Sequence, residues 1–77
     1  MGVFIMLVFD ELALRPKAEV EQVKSGIILD DEESIVFDMC VRHKSAQEIA
    51  FKIGVSPRTV FRIMSRLRIK ILNYLSV

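Results

Sequence analysis

Apolar positions are unevenly laid along this 77-residue chain, and their spacing divides it. Val3-Phe4-Ile5-Met6-Leu7-Val8-Phe9 is a continuous apolar run with β-branched and aromatic members. It fits a buried strand or the start of a buried helix, and periodicity does not separate the two. The stretch from Asp10 to Arg15 is short and ends at Pro16. Proline suits a first helical position, so a helix is expected from Pro16 to Lys24, with Gly26 as its stop. Val20 and Val23 give that helix a thin apolar stripe.

Beyond residue 29 the local signals sharpen. Asp30 or Asp31 caps a helix whose acidic first turn complements the helix dipole. With Asp30 as cap, Glu33 completes a capping box. Ile35, Val36, Met39 and Cys40 are its expected buried stripe, and the helix should fade between Val41 and Lys44. Ser45 followed by Glu48 is a second capping box, opening a short helix in which Ala46, Ile49, Ala50 and Ile53 repeat at helical spacing. Gly54 can take the left-handed conformation that ends it. Ser56 caps a further helix with Pro57 at its first position. Val60, Ile63, Met64, Leu67 and Ile71 then form one buried stripe. At about 100° per residue, Arg58, Arg62, Ser65 and Ile69 point the other way, with Arg66 close by.

These elements predict a small all-α bundle of three to four helices. Residues 29–77 form a helix-turn-helix domain, and residues 1–28 form an N-terminal extension with an apolar run and a short helix. Composition agrees: apolar residues are 52% of the chain, aromatics only 8%, and tryptophan is absent, so the core is aliphatic. A single cysteine, Cys40, excludes an intrachain disulfide and fits a reducing compartment. The apolar run has no Lys or Arg before it and is followed at once by Asp10-Glu11, unlike a secretory signal. It is also far shorter than the roughly 20 residues of a membrane span. A cytoplasmic protein with no membrane partner is expected.

The net charge of +1 conceals a polarised chain. Residues 1–41 carry three basic residues against nine acidic ones, a balance of −6. Residues 42–77 carry eight basic residues against Glu48 alone, a balance of +7. Such a division suits one face for a polyanion and another turned away from it.

The segment from Ser45 to Val60 carries the candidate function. Ala50 lets two helices cross closely, Gly54 permits a tight turn, Val55 plugs the gap, and Ser56 starts the second helix. In a helix-turn-helix unit the second helix enters the major groove of double-stranded DNA, and its N-terminal residues reach base edges. Here those residues are Arg58, Thr59 and Arg62. Arg66, Lys52, Ser56 and Ser45 are candidates for backbone contact, and Ser65 lies on the same outward face. No cofactor is implied.

At these residues the chain resembles region 4 of sigma-70-type factors and the effector domain of LuxR-type regulators. The resemblance rests on Glu48-Ile49-Ala50, Gly54-Val55-Ser56, Thr59-Val60 and the basic Arg66-Leu67-Arg68-Ile69-Lys70-Ile71. Leu29-Asp30-Asp31-Glu32-Glu33 is similar to the start of the first helix in both, so the likeness spans roughly residues 29–75. It implies a bacterial or phage DNA-binding domain used in transcription control, with the helix from Ser56 to Arg66 reading DNA. The chain holds no region for opening a promoter, and its last helix runs on where LuxR-type domains place a dimerising fourth helix. Stand-alone regulators of phage and prophage type fit its size better.

Other constellations carry less. Cys40 and His43 provide two potential ligands where a zinc site needs three or four. They also lack the signs of a pocket and oxyanion site that a nucleophilic pair requires. An enzyme is therefore not expected. Asp30 to Glu33 read as helix capping rather than metal binding. Phe61 lies at the margin of the buried stripe of the last helix, and the apolar run of residues 3–9, with Ile69, Leu72, Tyr74 and Leu75, exceeds what a three-helix core requires. Within one chain the run covers the last helix. As an interface it forms a homodimer seam or a docking site for RNA polymerase or another regulator. A DNA-reading dimer calls for a palindromic site. Two rivals to a sequence-specific regulator stand beside it: a protein-interaction adaptor of the transcription machinery, and a small DNA-packaging subunit of a phage.

Overall fold

A computed structural model describes the backbone of residues 2–76 and the side chains of residues 8–76. Every regular element among them is an α-helix: α1 (Gly2–Ala13), α2 (Lys17–Gly26), α3 (Asp31–Val41), α4 (Ala46–Ile53) and α5 (Pro57–Leu75). None of the helices is long and apolar enough to cross a membrane.

The ambiguous apolar run is helical. It forms the first part of α1, which packs against α3 and α5. Phe9 and Leu12 of α1 and Val23 of α2 are buried in the same core as Val36, Phe37 and Cys40 of α3, Ile49 and Ala50 of α4, and the α5 stripe. The extension thus adds two helices to the expected α3–α5 trio and completes its core. The side chains of Val3 to Leu7 lie outside the described residues.

The capping signals act as the local chemistry requires. The Asp30 carboxylate accepts the Glu33 N–H at 2.7 Å, while Glu33 Oε1 accepts the Asp30 N–H at 3.1 Å. Ser45 Oγ accepts the Glu48 N–H at 3.1 Å. The expected second capping box is not closed, because the Glu48 carboxylate accepts the Ser45 hydroxyl, at 3.4 Å, and not the Ser45 N–H. Ser56 Oγ accepts the Thr59 N–H at 3.3 Å. Val60, Ile63, Met64, Leu67 and Ile71 are all buried along α5, as their spacing requires.

One further expectation needs correction. The buried stripe of α3 is Glu33, Val36, Phe37 and Cys40, with Met39 only partly covered and Ile35 exposed. Those four positions follow the spacing i, i+3, i+4, i+7, and Ile35 lies about 200° from Phe37 around the helix. The contacts of α3 with α1, α4 and α5 select the Phe37 side. Gly26 ends α2, as its place in the sequence led one to expect. It is the last helical residue, and the chain leaves through Ile27 in an extended conformation. A Cβ at Gly26 would collide with the Tyr74 ring, so the glycine makes room for that ring.

Gly54 is the left-handed stop of α4, at φ 73°, and its N–H donates to Ala50 O at 2.9 Å. A Cβ there would meet nothing within 4 Å. Gly54→Ala should therefore cost only the backbone penalty, roughly 1 kcal/mol. A chemical-denaturation midpoint measures it, and an unchanged midpoint would contradict the assignment.

Candidate nucleic-acid interface

α4 and α5 pack against each other and are joined by Gly54-Val55-Ser56. Val55 is partly buried against the core, and its N–H donates to Ala50 O at 3.0 Å, so the connection is held from inside. Ser56 and Pro57 then set the direction in which α5 begins.

Burial of Val60, Ile63, Met64 and Leu67 fixes the rotation of α5 and turns Arg58, Arg62 and Arg66 outward, all exposed. Successive members are four residues apart, a rise of about 6 Å with a rotation of about 40°. Among the described residues, no carboxylate lies within 4.0 Å of Arg58 or Arg62. Arg66 differs: its Nε stands 3.6 Å from Glu33 Oε2, though its side chain remains more than half exposed. Arg66 is thus tethered to α3, whereas Arg58 and Arg62 are free to engage an outside acceptor.

Thr59 is half-buried, and its hydroxyl lies 3.2 Å from Ser56 Oγ. The pair shares one hydrogen and retains the other for a partner. Ser65 is partly exposed between the arginine row and Phe61. Phe61 is 38% exposed, three residues beyond Arg58 and four before Ser65. The sequence signalled it only as a residue at the margin of the buried stripe. Its outward position on the arginine face makes it a further member of the surface, capable of apolar contact with a thymine methyl.

On α4, the Ala46 and Gln47 amides occupy the first turn without an intrahelical acceptor. Ser45 is exposed, but its hydroxyl is held by Glu48. That carboxylate makes this helix start less welcoming to a phosphate. Lys52 is exposed and stands with Phe51, Arg42 and Lys44 on a groove between α3 and α4. The eight candidate positions therefore divide: Arg58, Arg62, Ser65 and Arg66 share the outward face of α5, Ser56 and Thr59 cap it, and Ser45 and Lys52 belong to α4.

The remaining titratable groups have local roles. Burial pushes the Cys40 thiol up to about 12, so it stays protonated near neutrality. His43 sits at φ 63° just after α3, exposed, with Nδ1 3.5 Å from Asp10 Oδ1. Among the described residues, no three His, Cys, Asp or Glu side chains gather as a metal site would require.

No protein-family model, curated protein or solved structure matches the chain.

Proposed function

We propose that the protein is a small DNA-binding regulator of transcription that lays the N-terminal half of α5 in the major groove. The observation that carries this reading is the exposed row of Arg58 and Arg62, without a carboxylate partner among the described residues, on a capped helix that follows α4 through a left-handed glycine turn. The resemblance to sigma-70 region 4 and LuxR-type effector domains points to the same use of the same helix.

In this reading each arginine donates two hydrogen bonds to O6 and N7 of a guanine, the commonest specific contact in the major groove. Phe61 and Ser65 read the neighbouring bases. The spare hydrogen of the Ser56–Thr59 pair meets a phosphate and holds the register. Arg66, restrained by Glu33, contacts the backbone further along α5.

Fluorescence anisotropy against a pooled random duplex at two salt concentrations tests the reading. Binding should weaken steeply with salt. On a pooled duplex most complexes are non-specific and both arginines rest on phosphates, so Arg58→Ala/Arg62→Ala should lower the magnitude of the logarithmic salt slope by about 2, each phosphate neutralised contributing about 0.9. It should also weaken binding at low salt by roughly a hundredfold. Both residues are exposed, so an unchanged circular-dichroism melt separates lost contact from lost fold. Folded wild-type protein that does not bind at low salt would sink the proposal.

A further inference from the structure

α3 and α4 flank a groove of about 800 Å³ that DNA reading by α5 leaves unused. Its apolar surface comes from Ile35 and Met39 of α3 and Phe51 of α4. Phe51 is 92% exposed and Ile35 44%. Scattered exposed apolar residues are ordinary, but apolar residues that converge on a concave surface rimmed by polar ones mark a binding site. The position of Phe51 is imposed by α4 itself. Ile49 and Ala50 hold the core side of that helix, and Phe51 lies about 200° from Ile49. No rotation of α4 buries Phe51 while keeping Ile49 covered.

The rim indicates the charge of the occupant. Asp38 is neutralised by Lys24, whose Nζ donates to both carboxylate oxygens at 2.8 and 2.9 Å. Glu48 receives the Ser45 hydroxyl at the beginning of α4. Arg42, Lys44 and Lys52 have no carboxylate within 4.0 Å among the described residues. Three unpaired cations surround an apolar trough, while the two carboxylates on its lining disfavour a phosphate backbone there. A trough between two helices accepts the apolar side of a third.

We infer that the α3–α4 groove docks an acidic amphipathic helix of another protein, its apolar side seated on Phe51, Ile35 and Met39 and its carboxylates on Arg42, Lys44 and Lys52. The inference is independent of DNA binding, since it uses none of the α5 arginines. If both hold, the protein joins DNA on one helix to a protein partner on another.

Selection from a displayed library of amphipathic helices, with polar positions randomised between Glu and Lys, tests it on the whole protein. Glu-rich helices should be enriched, and Phe51→Ala should weaken their binding about ten- to hundredfold, the effect of losing one large apolar contact. Phe51→Ala removes an exposed side chain, so its unchanged thermal melt keeps the result interpretable. Lys44→Glu/Lys52→Glu should shift the selection toward Lys-rich helices. No enrichment, equal recovery of Glu-rich and Lys-rich helices, or binding indifferent to Phe51→Ala would overturn the inference. Sedimentation velocity supplies the remaining outcome: self-association abolished by Phe51→Ala would give the groove to a second copy of this chain and overturn it as well.

Discussion

Phe37→Ala is expected to destabilise the protein by about 3–5 kcal/mol, the usual cost of emptying a buried phenylalanine site. Phe37 is fully buried on α3, and its ring meets that of Phe9 edge-on, with centroids 6.3 Å apart and planes at 79°. Such a pair contributes about 0.5–1.5 kcal/mol beyond the area it buries. The residue therefore pins α1 to α3, and its loss removes the packing that makes the N-terminal extension part of the core. A chain of this size has a total stability of roughly 4–12 kcal/mol. The variant should melt roughly 15–30 °C below the wild type, or not fold at 37 °C. Ile35→Ala, two residues away and exposed, should change stability by less than about 0.5 kcal/mol. Thermal melts followed by circular dichroism separate the two, and a Phe37→Ala loss below about 1 kcal/mol would contradict the packing described.

The second large effect belongs to Lys70. Its ammonium donates to both oxygens of Glu33, at 2.8 and 3.0 Å, and to Ile28 O at 2.8 Å. Glu33 is 3% exposed, so its carboxylate depends on this cation, with Arg66 at 3.6 Å and the Asp30 N–H as lesser partners. Removing one member of a buried pair leaves an uncompensated charge and costs about 3–5 kcal/mol. Lys70 keeps about a third of its surface and Arg66 remains nearby, which places Lys70→Met near the lower end, about 3 kcal/mol. Glu33→Met/Lys70→Met should be less damaging than Lys70→Met alone, because no buried charge is then orphaned. Urea midpoints at constant m-value measure both variants. A double variant at least as unstable as the single one would show that the pair itself, rather than the stranded carboxylate, dominates.

The two residues also bear on the proposed DNA face. Glu33 holds α5 at Lys70 and Arg66, one turn apart, and so fixes the helix against α3. The arginine row is presented by that same helix. Its geometry is a consequence of packing against α3 further along α5 as much as of its own sequence.

What local chemistry can encode was legible in the sequence. The Asp30–Glu33 box, the Ser45 and Ser56 caps, Pro57 at a helix start and Gly54 at a helix stop each join residues within a few positions of one another. They are decided before any tertiary contact forms. The long stripe of α5 is equally local, since a sustained period of 3.6 leaves one way to bury it, and with it the outward placement of Arg58, Arg62 and Arg66. Tertiary structure decided the rest. A continuous apolar run has no period, so the sequence left residues 3–9 open between strand and helix, and they form the first part of α1, which packs against α3 and α5. On α3 both Ile35 and Phe37 are apolar, and the neighbouring helices chose Phe37. Gly26 answers to Tyr74, and Glu33 to a lysine 37 residues away. Sequence by itself determined where the helices begin and end and which way α5 faces, because those choices rest on bonds and periods a few residues long. Which apolar side chain enters the core, which charge is buried and which cation stays free depend on partners brought together only when the chain closes on itself.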